Sequence, residues 1–333
     1  MVASRLRADA LAAGATVVVP RRVSTGVLAS VAGIAALGAA VLRGPEMRRV
    51  AVVGASKNAG KTTTLLALAA AVRAHGAVGF LSIGRDGEAR DAFLDFAKPQ
   101  VLVEKDDWLV TAANLAAHCG RALRIEAALP FVTALGATVL AEARGPVAVE
   151  LAGVAHRAQW AQAANALKSY VHTVLIDGAY HRQAAAHPAV ADGVVLAIGA
   201  IAGNGAEDAL AAALPTLRAL AAPPTVGGPP WRMMTGALTD ARAAAAPADT
   251  WWLATDPSRI LLTAAGWRAL DRGGGRVGVA HAVPLLAVTC SPFHADGGAT
   301  DPAAWLAAVA AWSVAAGMPP VPIIDVVAGL VAG

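Results

Sequence analysis

Short apolar runs ending in Gly or Asp alternate along this chain with longer Ala-rich stretches, the pattern of strands and crossover helices in a mostly parallel α/β sheet. The runs place strands at Thr16–Val19, Val50–Val53, Val78–Ile83, Val101–Glu104, Thr138–Ala141, Val147–Leu151, Thr173–Ile176 and Val194–Ile198. Helices fall between them, most clearly at Lys61–Ala74 and Ala158–Tyr170. In the first, Leu65, Leu68 and Val72 recur at helical spacing and form a face to lie on the sheet. The stretch Ala221–Pro230 (AAPPTVGGPP) cannot continue a helix and marks a boundary. Beyond it, Arg232–Gly236, Ile260–Thr263, Val283–Thr289 and Pro320–Val326 read as further short strands. The expected organisation is a helical segment over 1–45, an α/β core over 46–220 and a C-terminal α/β region over 231–333. That last region either extends the core sheet or, the favoured reading, forms a small domain of its own.

One segment tests whether the chain enters a membrane. Gly26–Leu42 (GVLASVAGIAALGAAVL) carries no charge and is bracketed by Arg21–Arg22 and Arg43. It sits at the short end of what spans a bilayer and is built of Ala and Gly rather than Leu, Ile and Phe. It reads as a buried helix, and no membrane role is expected.

Composition narrows the picture further. Hydrophobic residues make up 56% of the chain but aromatics only 5%, which fits a helix-rich, Ala-packed interior. The net charge is +4 and the cations are scattered singly, so nucleic-acid binding is not expected. Two cysteines, Cys119 and Cys290, form neither a disulfide framework nor a metal quartet, and suit a reducing, cytoplasmic setting.

The strongest chemical signal is RRVAVVGASKNAGKTTTLLALAAAV. The apolar strand Val50–Val53 runs into a loop that opens a helix at Gly60-Lys61-Thr62, with the spacing [AG]-x-x-x-x-G-K-[ST] starting at Ala55. This is the P-loop arrangement. Small residues let successive N–H groups of Ala55, Ser56, Lys57, Asn58, Ala59 and Gly60 turn inward around phosphate oxygens. Lys61 places its charge against the β- and γ-phosphates, and the Thr62 hydroxyl can ligate Mg²⁺. The helix N-terminus at Lys61–Thr63 adds its partial positive charge. Lys57 can touch phosphate or simply be solvated.

Two further segments fit that site. In His172-Thr-Val-Leu-Ile-Asp177-Gly178 an apolar run leads into an aspartate at a strand end, the Walker B arrangement, where Asp177 can hold Mg²⁺. In Phe80-Leu-Ser-Ile-Gly84-Arg85-Asp86-Gly87-Glu88 the strand after the P-loop helix ends in a loop that would face the nucleotide. There Asp86 can bind Mg²⁺ through water or orient the attacking water. Arg85 can neutralise phosphate charge, and Glu88 is a weaker candidate for activating water. Gly-Arg-Asp-Gly is also ordinary turn chemistry. Neither Asp192 nor Asp240 belongs to an N-K-x-D guanine signature, which favours ATP over GTP. Asp256, in Thr-Asp-Pro-Ser, reads as a helix cap rather than a base reader.

VVGASKNAGKTTTL, LSIGRDGE, VLIDGAYHR, VADGVVLAIGA, MMTGALTD, ATDPSRILLT, AVTCSPFHA and PVPIIDV together resemble, in order, the ATPase subunit of the lysine 5,6-aminomutase reactivase (the KamB family). The likeness runs through most of Val50–Val326. Its P-loop and Walker B parts are shared with many SIMIBI-type ATPases, including dethiobiotin synthetase. The resemblance implies a P-loop NTPase fold, ATP and Mg²⁺ as ligands, and a MutS-like partner subunit. It also implies a client, an adenosylcobalamin-dependent aminomutase from which ATP hydrolysis drives release of damaged cobalamin. By the same resemblance Lys61 and Thr62 contact phosphate and Mg²⁺, and Asp177 takes the Walker B role. One departure is Ala-Tyr-His-Arg at 179–182, where the family carries Ala-Leu-Asp-Arg, so His181 stands at an acidic position. The alternative function is an ATP-dependent ligase or kinase resembling dethiobiotin synthetase, with Arg85, Arg182 and Lys168 as candidate groups for an acceptor carboxylate. A homodimer is compatible with either.

Overall fold

The computed structural model describes residues 29–42, 49–56, 59–83, 101–154, 156–178, 185–200, 206–226, 230–293 and 299–332. The expected strand at 16–19 lies outside them. At the centre is a ten-stranded sheet. Its strands are β1 (Arg49–Gly54), β2 (Val78–Ile83), β3 (Trp108–Ala112), β4 (Leu123–Thr133) and β5 (Gly136–Ala143). They are followed by β6 (Thr173–Gly178), β7 (Gly193–Gly199), β8 (Leu285–Ser291), β9 (Ile323–Asp325) and β10 (Leu330–Ala332). The order is β10-β9-β8-β7-β1-β6-β2-β3-β5-β4. Every pairing from β9 to β3 is parallel. The two edges are antiparallel, through β10 on one side and the β4–β5 hairpin on the other.

The central strands are apolar on both faces because helices cover both. Helices α1 (Val31–Val41) and α2 (Lys61–Val72) lie on one face, where Leu37, Val41, Leu65, Leu68 and Val72 pack with Val50, Val52, Phe80 and Leu175. Helices α3 (Arg157–Lys168) and α4 (Ala206–Leu220) lie on the other, with Trp160, Leu167, Leu210 and Leu217 against Ala51, Val53, Ile176 and Leu196. The strand period of two thus sends alternate residues of β1 into two separate layers.

The uncharged segment Gly26–Leu42 supplies α1. Ser30 caps it, accepting the Gly33 N–H at 3.0 Å, and the Ser30 N–H donates to the Val326 carbonyl at 2.7 Å. A Cβ on Gly33 would lie 2.5 Å from that same carbonyl oxygen, so glycine lets the helix start seat directly on the β9–β10 turn. Among the described residues no helix is long and apolar enough to cross a membrane.

The expected C-terminal region at 231–333 divides in two. Residues 231–279 build a small unit of their own, with parallel strands at Trp231–Met233, Trp251–Ala254 and Arg276–Val279, a two-stranded pair at Leu238–Thr239 and Ile260–Leu261, and helix α5 (Ala264–Arg272). The core of Leu238, Ala254, Ile260, Leu262, Trp267 and Leu270 is shared with Ala219 from the end of α4 and Ala222 just beyond it. Asp256 caps the turn Pro257–Arg259, accepting the Ser258 N–H at 3.0 Å. Residues 285–332 instead return to the main sheet as β8–β10, with α6 (Pro302–Ala315) on the α3/α4 face. The reason is burial: β8 is apolar on both sides and needs a strand on each flank and a helix layer above and below.

Candidate functional site

The C-terminal ends of β7, β1, β6 and β2 lie side by side, and the described residues of the loop from β1 to α2 meet β7 and β8. Its first residue is tied down, since the Ala55 N–H donates to the Ala197 carbonyl of β7 at 2.9 Å. Ala59 then rests on Gly199, where an added Cβ would come within 2.8 Å of the Ala59 Cα. Gly60 enters the helix at φ 88°, a left-handed conformation that glycine adopts without strain. It is the N-cap of α2 and offers no side chain to the first-turn N–H groups, and that turn carries no acidic residue. The result is a helix N-terminus with its positive end uncovered by any side chain of its own cap. Ser56 in the loop is buried, and its Oγ has no hydrogen-bond partner among the described residues.

Lys61, the first residue of α2, folds back over the end of β1. A Cβ on Gly54 would stand 2.9 Å from both Cγ and Cδ of Lys61, so the stem of the lysine occupies the space that glycine leaves. The charge is therefore carried at the strand ends rather than out along the helix. Asp177 sits one strand away, in register with Val52 of β1 and with Ser82 of β2. Its neighbour Ile176 packs into the α3/α4 layer and Leu175 into the α1/α2 layer, so alternation turns Asp177 to the side from which α2 rises. Gly178 follows because the strands close there: a Cβ would come within 2.7 Å of the Val52 carbonyl oxygen. Thr62 and Thr63 are half-buried in the first turn of α2, beside Lys61.

The sequence-designated residues Ala55, Ser56, Ala59, Gly60, Lys61, Thr62, Thr63 and Asp177 thus gather at one edge of the sheet. Lys57, Asn58, Arg85, Asp86, Glu88, His181 and Arg182 lie outside the described residues. Lys168 does not join the site. It ends α3 just before β6 begins, at the opposite edge of the sheet. Asp192 is also at that far edge, accepting the Arg49 N–H at 2.9 Å and pairing with its guanidinium. Asp240 is held by the Thr263 N–H and hydroxyl at 2.9 and 2.5 Å, inside the small unit.

Motif reading missed the residues that neighbouring strands bring to the loop. Gly199 of β7 is the floor under Ala59, and Ser291 of β8 stands beside Gly60, 3.3 Å from its virtual Cβ. Thr289 of β8 meets Thr64 of α2, hydroxyl to hydroxyl, at 2.7 Å. The one local signal was a polar residue inside an otherwise apolar strand, as at Thr289. Comparison with protein families, curated proteins and solved structures finds no match to this chain.

Proposed function

We propose that this chain is a P-loop ATPase that binds and hydrolyses Mg²⁺-ATP at the β1–α2 loop, in order to remodel a partner enzyme. The observation that carries the reading is the seating of Lys61 on Gly54 at a strand end, with Asp177 on the adjoining strand and on the helix side. The residues present suit a magnesium triphosphate. A helix start with no side-chain cap and no acidic residue in its first turn suits phosphate, the buried Ser56 hydroxyl has no hydrogen-bond partner among the described residues, and a carboxylate and a threonine hydroxyl are hard oxygen donors of the kind Mg²⁺ prefers. Magnesium, when bound, supplies charge neutralisation on the β- and γ-phosphates.

The chain's own groups do the rest. The N–H groups of the loop and of the first turn of α2 orient the phosphates, and Lys61 offsets the charge that builds on them during transfer to water. Thr62 and Asp177 would hold the metal. Asp86 is the candidate for orienting water. Lys61→Ala is expected to lower ATP turnover by at least about a hundred-fold while leaving the unfolding transition in place. Undiminished hydrolysis in that variant removes this site from the account.

The resemblance to the KamB family gives the proposed client, an adenosylcobalamin-dependent aminomutase engaged with a MutS-like partner subunit. ATP turnover that needs no added metabolite and rises with the aminomutase and its partner supports this reading. Turnover only on addition of a small carboxylate substrate supports the ligase or kinase instead. The ligase needs cationic groups facing the phosphate site, and Lys168, one of its three candidates, is at the far edge of the sheet.

A further inference from the structure

β8 runs through the buried part of the sheet, flanked by β7 and β9, two strands from β1. Its side chains from Leu285 to Cys290 are apolar except for Thr289, which is 2% exposed. Thr289 alternates with Val288 and Cys290, which face the α3/α4/α6 layer, and so turns to the α1/α2 side with Ala287. Valine would fill the same space there with a methyl in place of the hydroxyl, and a buried hydroxyl destabilises unless it is paired.

The pairing is specific. The Oγ1 atoms of Thr289 and Thr64 are 2.7 Å apart, across 225 positions of sequence, and Thr64 is itself 1% exposed. Thr64 closes the first turn of α2, its N–H donating to the Gly60 carbonyl at 2.9 Å. Leu65 and Leu68 press the helix onto the sheet, but apolar contact is non-directional and leaves rotation and sliding weakly opposed. The hydroxyl bond is directional and acts on the turn that carries Lys61 and Thr62. Two residues further along β8, Ser291 closes the space beside Gly60.

We infer that Thr289 is a positioning residue for the nucleotide site: its bond to Thr64 fixes the height and rotation of the first turn of α2, so that Lys61 and Thr62 meet the phosphates already in place. The inference rests on the phosphate-binding reading of the loop, and it gives the C-terminal third of the chain a direct part in that site. Pre-set geometry of this kind acts on affinity and rate together, because a bound phosphate does not have to order the turn that holds it.

The test separates positioning from stability. Thr289→Val removes one hydroxyl at constant shape and leaves the other buried without a partner. The double variant Thr64→Val/Thr289→Val removes both and restores a satisfied apolar contact. Its urea midpoint is expected to return close to that of the wild type, while its KM for Mg²⁺-ATP stays raised by about ten-fold. Thr289→Ser keeps the hydroxyl and is expected to restore KM. Amide exchange over residues 59–66 in the nucleotide-free double variant should be faster than in the wild type, with residues 264–272 unchanged. A folded double variant with wild-type KM overturns the inference. Wild-type protein that does not turn over Mg²⁺-ATP, measured first, overturns the proposed function and takes this inference with it.

Discussion

Gly199 offers the sharpest steric test of how the loop is seated. The point at which its Cβ would stand is 2.8 Å from the Cα of Ala59 and 3.2 Å from the Ala59 carbonyl carbon. Both obstructing atoms are backbone, so neither can rotate away. β7 cannot retreat either, because it is hydrogen-bonded between β1 and β8, with Gly199 in register opposite Ser291. Ordinary contact begins near 3.4 Å, so Gly199→Ala must lift the loop by about 0.6 Å. Gly199 is not at positive φ, which leaves the added methyl as the whole perturbation. Overpacking of this size costs about 1–3 kcal/mol, partly offset by about 0.4–1 kcal/mol from the stiffer unfolded chain. The lift reaches Gly60 and the first turn of α2, and a misplacement approaching 1 Å is worth up to about a hundred-fold in rate. We therefore expect kcat/KM for Mg²⁺-ATP to fall about ten-fold, with a net destabilisation of about 1–2 kcal/mol. Steady-state kinetics and urea unfolding read the two effects. Gly145→Ala is the control, since a Cβ there meets nothing within 4 Å. If Gly199→Ala turns over ATP within about two-fold of the wild type, the loop does not depend on resting against β7.

Two further expectations concern buried carboxylates away from the loop. Asp107 accepts the Glu104 N–H at 2.8 Å and the Val78 N–H at 3.3 Å, and pairs with Arg73 at 2.6 Å, so Asp107→Ala should cost about 3 kcal/mol in urea unfolding; a loss below about 1 kcal/mol refutes its role as an anchor between α2 and β2. Asp325 is fully buried, and burial pushes its carboxyl above the usual range, against the lowering effect of the Ala328 and Val327 N–H bonds. Because the native state then holds this proton more tightly than the unfolded chain, stability relative to Asp325→Asn should fall as pH rises from about 4 through the raised native value. Parallel stability–pH curves for the two proteins rule that out.

The central strands were legible because each is its own signal. Strands expected at Val78–Ile83, Thr173–Ile176 and Val194–Ile198 appear as β2, β6 and β7 with ends shifted by at most a few residues. A strand buried on both faces must be apolar throughout, and a crossover helix must follow it, so local composition carries the assignment. β3 and the eleven-residue β4 were not anticipated. β4 is largely exposed, includes Pro130, and reads Arg-Ile-Glu-Ala-Ala without a clean period; its pairing with β5, through two shifts of register, decides its state. The C-terminal strands illustrate a different limit. A run at 283–289 is visible in sequence, but whether it joins a sheet more than eighty positions earlier depends on β7 having an open flank, which no local pattern records.

The site divides along the same line. Lys61, Thr62 and Asp177 announce themselves because the proposed phosphate loop is one contiguous segment and the aspartate proposed to hold the metal ends an apolar run. The parts contributed by other strands are single residues: Gly199, Thr289 and Ser291. Each nevertheless leaves a trace of a particular kind, a residue that weakens the element it sits in. A buried strand gains nothing for its own stability from a threonine in place of valine, or from a serine at its end, unless something outside the strand needs the hydroxyl. Thr64 is the same case on the helix, a β-branched, polar residue facing the sheet from a run of alanines and leucines, where propensity alone would place another alanine. Two such exceptions facing each other between β8 and α2 are more informative than either alone. Each of the two threonines explains why the other is not aliphatic, and together they place the constraint at the start of α2, where the proposed chemistry requires it.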